Sequence, residues 1–273
     1  MHHTVVDSVA LQEHLADPEW CLLDTRPAQA YTDAHIPGAF WADTENDLAG
    51  EKSGKNGRHP LPEIETFASF LRGLGVSAGT QLVAYDAGAD MFAARFWFLC
   101  RWIGHDAVAV LDGGIAGWQA AGYPLTSAKS SPRAPGNVRP KPRHELIVHA
   151  NEVRTAIDDH RFSVLDARSS DRFAGHNEHL DAVAGHIPGA LNRFFKENYD
   201  QSGRFKSPEH LRSEFSQLDL APERVVHQCG SGVSAAVNQL AMEHAGLGLT
   251  RIYAGSWSEW IADPRRPIAT GAP

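Results

Sequence analysis

The chain has 273 residues, 25 Lys+Arg against 33 Asp+Glu for a formal net charge of −8, and 42% hydrophobic residues. That length suits two domains of roughly 100–150 residues, and the acidic balance excludes the clustered Lys/Arg footprint of a nucleic-acid binder or of a protein drawn to an anionic membrane surface. No run of about 18 apolar residues occurs and Met1–Asp17 lacks a basic-then-apolar leader, so a cytoplasmic protein is expected.

In chain order, β-rich runs at Trp20–Asp24, Gln81–Tyr85 and Ala107–Leu111 alternate with helical patterns at Ile64–Gly73 and Phe92–Trp102. A second set follows: strands at Ser163–Asp166, Arg224–His227 and Thr250–Tyr253, with helices at Pro208–Gln217 and Ser234–His244, the last stopped by Gly246. Strands buried on both faces and separated by helices predict a parallel α/β sheet in each half.

The two sets are copies of one another. Leu22-Leu23-Asp24-Thr25-Arg26 reappears as Val164-Leu165-Asp166-Ala167-Arg168, and Ala34-His35-Ile36-Pro37-Gly38-Ala39 as Gly185-His186-Ile187-Pro188-Gly189-Ala190. The segment from Gln81 to Asp86 matches that from Arg224 to Cys229, and Gly113–Trp118 matches Gly255–Trp260. The offsets are 142, 151, 143 and 142, so an insertion of about nine residues falls near His176 to Val183 of the second copy. Four prolines without apolar periodicity mark 127–143 as a linker between an N-terminal domain (1–126) and a C-terminal one (144–273).

Three cysteines without CxxC spacing argue against a disulfide framework or a structural zinc site, and no metal or cofactor is expected. Cys21 and Cys100 lie in apolar runs and read as core residues. Cys229 differs. It stands where the first copy has Asp86, at the end of a strand, and Gly230-Ser231-Gly232-Val233-Ser234 leads from it into a helix. Ligands of open α/β sheets bind at the strands' carboxyl ends. Two glycines let the backbone N–H groups curl inward while the helix aims its positive dipole end at the same point. Such a cradle stabilises a thiolate, making Cys229 the candidate nucleophile and Gly230, Gly232, Val233 and Ser234 candidate anion-binding positions.

The tandem halves, the paired His-Ile-Pro-Gly-Ala segments and the Cys-Gly-Ser-Gly-Val-Ser loop resemble two-domain rhodanese-type sulfurtransferases, the loop being most similar to that of 3-mercaptopyruvate sulfurtransferases. The resemblance implies tandem rhodanese-like α/β domains, each a small parallel sheet flanked by helices. It also implies a silent first domain and a Cys229 persulfide in the second. The sulfur would come from a small-molecule donor, with release of pyruvate. It would pass to cyanide or to a thiol such as thioredoxin or a low-molecular-weight thiol.

Thiosulfate is the alternative donor. Family members that prefer it carry Cys-Arg-Lys-Gly, whereas Ser231 stands here where the lysine would be, so a dianion would lose charge-assisted contacts roughly twice as strong as neutral ones. Arg172 matches the family's carboxylate-binding arginine, and its planar fork suits a carboxylate. The second arginine that mercaptopyruvate enzymes carry in the insertion is missing from 175–183, where His179 lies nearest the expected place. Ser231 resembles the hydroxyl that works with a histidine and an aspartate of the first domain, which map to His35 and to Asp24 or Asp33. Asp24/Arg26 and Asp166/Arg168 occur in both copies and read as structural ion pairs.

Two rival readings are weaker. A cysteine-loop phosphatase needs an arginine six residues after its nucleophile, and that position is Ala235. A catalytically idle binding module has no use for a retained Cys229 and its glycines.

Overall fold

The apolar runs become the central strands of two separate parallel sheets. In the computed structural model, which describes residues 1–271, the chain divides into two units that are not contiguous in sequence. The first comprises Met1–Gly50, Pro62–Arg143 and Tyr199–Phe205; the second comprises Glu51–Leu61, His144–Asn198 and the chain from Lys206 on.

The first unit runs β1 (Val5–Val6), α1 (Ser8–Glu13), β2 (Trp20–Asp24), α2 (Ala28–Asp33), β3 (Phe40–Trp41), α3 (Ile64–Gly73), β4 (Gln81–Tyr85), α4 (Phe92–Trp102), β5 (Val108–Leu111) and α5 (Gly114–Ala120). Its sheet has the order β1-β5-β4-β2-β3, parallel throughout. Every residue of β4 is buried, as a strand covered on both faces must be. The proline-rich segment 127–143 belongs to this unit. Gly136, Val138, Lys141 and Arg143 donate their amides to the carbonyls of Arg72, Val76, Ile103 and Trp102 at 2.7–3.1 Å. A segment predicted as a linker is therefore bonded to this unit along its length, with Val138 buried.

The second unit runs α6 (Ala150–Asp159), β6 (Ser163–Asp166), α7 (Ser170–Ala174), β7 (Leu191–Asn192), α8 (Pro208–Ser216), β8 (Val225–Gln228), α9 (Ala235–His244), β9 (Arg251–Ile252) and α10 (Ser256–Trp260). The sheet order is β7-β6-β8-β9, again parallel. Ile147 bridges Ile252 in parallel at the edge where the first sheet has β1. Val164, Val226, Phe173, Ile187, Trp257 and Trp260 form the core. The strand expected at Arg224–His227 lies one residue later, which brings its end directly against Cys229. No helix among the described residues is long and apolar enough to cross a membrane.

One buried group makes this unit acid-sensitive. His227 is enclosed in β8 with Nε2 2.8 Å from Thr250 Oγ1, and burial pushes its pKa down to about 3. The unfolded chain takes up this proton near 6.5, so below that pH the unfolded state binds more protons and stability falls as pH falls toward 3. His227→Gln is expected to shrink the loss of urea midpoint between pH 7 and pH 5. An undiminished loss would assign the acid sensitivity to other groups.

Candidate active site

β8 delivers Cys229 to a turn that admits glycine alone at one point. Gly232 has φ +79°, and a Cβ there would lie 2.1 Å from the Ala254 carbonyl oxygen. This conformation turns the Gly232 amide back to donate to Cys229 Sγ at 3.1 Å. The Cys229 amide donates to Ser256 Oγ at 3.1 Å, and that hydroxyl donates to the Tyr253 carbonyl at 2.9 Å. Ser256 holds φ +53°, a left-handed conformation given to Gly114 (φ +57°) in the first copy, so here a side chain with a hydrogen-bonding task occupies a strained position. The Cys229 and Gly230 carbonyls accept from the amides of Trp257 and Ser258 at 3.0 and 2.9 Å. The turn is thus latched to α10 on its inner side, and Cys229 and Val233 are each 2% exposed, Ser231 and Ser234 8%.

The first unit shows what such a turn holds. Asp86 stands in the cysteine's place, and its carboxylate accepts from the amides of Gly88 and Ala93 at 3.0 and 3.1 Å. Burial pushes that carboxyl up to about 6. Strand end, turn and helix start therefore surround an acid group fixed by backbone donors, with no sulfur present.

The side-chain contact to Ser231 is made by a residue that sequence reasoning missed. His59 Nδ1 lies 2.8 Å from Ser231 Oγ. His59 belongs to the segment Glu51–Leu61, which folds with the second unit. Its neighbour Arg58 donates its amide to Ser258 Oγ at 3.0 Å and pairs through its guanidinium with Asp181. Arg172, on α7, gives Nε and Nη2 to Glu178 at 3.1 and 2.8 Å and approaches Asp181 at 3.4 Å. A Cβ on Gly230 would lie 2.8 Å from Arg58 Nη2 and 3.4 Å from Arg172 Nη2, so both guanidinium groups stand over the outer side of the turn.

The insertion supplies carboxylates rather than a cation. Burial works against ionisation of Glu178, but the amides of Leu180 and Asp181, together with Arg172, outweigh it and hold the carboxyl below its ordinary range. Burial pushes Asp181 up, Arg58 opposes the shift and Glu178 adds to it. His179, expected to take the place of the second arginine, is exposed, with no hydrogen bond or ion pair among the described residues. In the buried core beside these groups, Arg168 grips Asp166 with Nε and Nη2 and lies 5.0 Å over the Trp257 ring. Arg26 grips Asp24 in the same way in the first unit, as expected for structural pairs.

The assignment of His35 as the partner of Ser231 gives way to His59. His35 Nδ1 lies 2.8 Å from the Tyr31 carbonyl and Nε2 3.1 Å from that of Ala128, its ring stacked on Tyr31. His186 uses Nδ1 in the same way on the Phe173 carbonyl, so the repeated histidine secures a turn in both copies. Neither aspartate supports His35: Asp24 is taken by Arg26, and Asp33 accepts from Gln29 on the exposed face of α2. A sequence signal for the correct segment exists. Gly57-Arg58 followed by Pro62 recurs as Gly203-Arg204 followed by Pro208, 146 positions on. The second occurrence lies at Tyr199–Phe205, the segment that folds with the first unit, where the Phe205 amide donates to Asp112 at 2.8 Å. No group of three metal-ligating side chains is found among the described residues.

Comparison with known proteins agrees with the fold. The family described as the rhodanese-like domain matches twice, over residues 8–121 and 149–263. A Pseudomonas aeruginosa protein named "Probable 3-mercaptopyruvate sulfurtransferase" is 44% identical over 273 residues, 96% of either chain. "Thiosulfate/3-mercaptopyruvate sulfurtransferase 2" of Arabidopsis thaliana is 33% identical over 92% of this chain and 80% of its own. The crystal structure of SseA from Escherichia coli, described as showing the rhodanese fold and mechanism of 3-mercaptopyruvate sulfotransferases, superposes with a TM-score of 0.82 at 32% identity, covering 94% of this chain and 99% of that one.

Proposed function

The chain belongs to the rhodanese-like domain family, and from that premise we propose that it is a sulfurtransferase taking sulfur from 3-mercaptopyruvate through a persulfide on Cys229. The observation that carries this reading is the uncharged turn from Cys229 to Val233, with the Ser231–His59 pair bonded to it and the Arg172 guanidinium above Gly230. A donor with one carboxylate remote from its sulfur fits that distribution of groups. A dianion concentrated at the sulfur meets only neutral donors within the turn.

In the first half-reaction the Cys229 thiolate attacks the donor's thiol sulfur. The new S–S bond forms as the C–S bond breaks, and the electron pair leaves on carbon as the enolate of pyruvate. The proton of the donor thiol is then free to leave the persulfide, and the enolate takes a proton to become pyruvate. Ser231 Oγ, bonded to His59, is the group placed to hand over that proton. In the second half-reaction an acceptor thiolate, from thioredoxin or a small thiol, or cyanide attacks the outer sulfur and Cys229 departs as thiolate. Three free cysteines suit a reducing, cytoplasmic setting.

The test is kcat/KM for 3-mercaptopyruvate and thiosulfate side by side with cyanide as acceptor. Preference for 3-mercaptopyruvate by about tenfold or more is expected, one charge-assisted contact being worth that much; preference for thiosulfate would overturn the reading. Arg172→Ala is expected to raise KM for 3-mercaptopyruvate by about tenfold or more with kcat little changed, the pattern for lost ground-state binding. An unchanged KM would remove Arg172 from the binding site.

A further inference from the structure

We propose that Ser258 is a positioning residue that sets His59 against Ser231, and that Gly57 supplies the clearance this needs. The proposal rests on the reading that the Ser231–His59 pair hands over the proton.

Ser258 is bonded to both stretches of chain that carry the pair. Its amide donates to the Gly230 carbonyl at 2.9 Å, and the next residue along that stretch is Ser231. Its hydroxyl accepts from the Arg58 amide at 3.0 Å, and the next residue along that stretch is His59. The two side chains one step beyond these anchors are the ones that meet at 2.8 Å. The hydroxyl also donates to the Gly255 carbonyl at 3.3 Å, so α10 itself aims the oxygen. One residue therefore fixes the spacing between the proton donor and its partner, and a spacing fixed beforehand needs no reordering when substrate arrives.

Gly57 lets the segment come this close. It holds φ +87°, and a Cβ there would lie 2.7 Å from the Gly255 carbonyl oxygen and 3.2 Å from Ser258 Oγ. Conformation and contact both demand glycine.

The first unit supplies the contrast. Where the second copy has Ser258 the first has Ala116, with no hydroxyl to offer, and where the segment has His59 its counterpart has Phe205. That counterpart is held one residue later, through the Phe205 amide to Asp112 at 2.8 Å. Phe205 is 7% exposed, its ring 4.6 Å from that of Tyr199. Gly203, which corresponds to Gly57, packs loosely: a Cβ there would come no closer than 3.8 Å to its nearest neighbour, Ala89. The copy without a nucleophile buries an aromatic ring at this position. The copy with Cys229 anchors the preceding amide and brings an imidazole to the turn. A latch and a close approach found only beside the cysteine belong to its chemistry.

The experiment measures kcat and KM for 3-mercaptopyruvate, and kcat/KM for thiosulfate, in the full-length protein and in its Ser258→Ala, Gly57→Ala, His59→Ala and Ser258→Ala/His59→Ala variants. Ser258→Ala keeps the amide bond to Gly230 and the pairing of Arg58 with Asp181, so turn and segment stay in place and only the register of His59 loosens. It is expected to lower kcat for 3-mercaptopyruvate by about tenfold, the worth of one hydrogen bond, with KM and thiosulfate turnover changing much less. Gly57→Ala should lower kcat by at least as much. In the His59→Ala background, removal of the Ser258 hydroxyl should add almost nothing, because the group it positions is gone. An unchanged kcat in Ser258→Ala or in Gly57→Ala overturns the proposal. So does a loss in Ser258→Ala that is equal for both donors, or that recurs in full in the double variant, since either shows the hydroxyl shaping the cysteine turn. A His59→Ala protein with full turnover of 3-mercaptopyruvate removes the proton-transfer reading, and this proposal with it; a slow His59→Ala protein beside an unimpaired Ser258→Ala protein sinks the proposal alone.

Discussion

Cys229→Ser is expected to lower sulfur transfer by about 10⁴-fold or more while leaving the fold in place. Serine fits the same 2%-exposed position and can accept from the Gly232 amide as Sγ does, so the turn has no reason to rearrange. What it cannot do is ionise near neutral pH or carry a second sulfur. Neither remaining cysteine can substitute. Cys21 and Cys100 are fully buried in the first unit, burial pushing the Cys21 thiol up to about 11 and the Cys100 thiol up as well. Pyruvate release under saturating donor, together with the protein's intact mass after donor alone, checks the claim. One added sulfur atom should appear on the unsubstituted chain and none on the variant, and turnover above the buffer blank in Cys229→Ser would end the persulfide mechanism.

The second large effect is expected at the Ser231–His59 pair. Ser231→Ala and His59→Ala should each lower kcat with 3-mercaptopyruvate by about 10²–10³-fold, the usual worth of a positioned proton donor. Because the hydroxyl and the imidazole act through one hydrogen bond of 2.8 Å, the double variant should lose little more than either single one. Thiosulfate supplies the control. Its leaving group is sulfite, which departs without needing a proton on carbon, so its turnover should be much less affected. Additive losses, or equal losses with both donors, would show that the pair shapes the turn and does not transfer a proton.

The parts of the molecule visible in the sequence are those whose cause is local. Trp20–Asp24, Gln81–Tyr85 and Ser163–Asp166 are apolar runs buried on both faces, and they occur as strands with those bounds. β3 and β7 are two residues long, too short for any periodicity to register. In the site, Cys229, Ser231 and Gly232 share one turn, and the glycine pattern announces it. Arg58 and His59 sit in a Gly/Lys/Asn-rich stretch that reads as a solvated loop, and the contact giving His59 its meaning spans 172 residues. His35 misled for the opposite reason: it lies in a conspicuous repeated motif, whose repetition reflects a turn common to both copies. In the insertion His179 is exposed, while the neighbouring Glu178 makes the contacts.

The assignment of Glu51–Leu61 to the second unit bears on inheritance. A gene fragment encoding only residues from His144 onward would transmit the nucleophile, Ser231 and Arg172 without the histidine that bonds Ser231 or the arginine above Gly230. Recombination at the boundary near residue 143 therefore cannot pass on the second unit intact. The first copy carries Asp86 where the second carries Cys229, yet it cannot be dropped without loss to the second, because its eleven residues Glu51–Leu61 fold with that unit. Repetition in the sequence and interdependence in the fold are joined here in one exchange of segments.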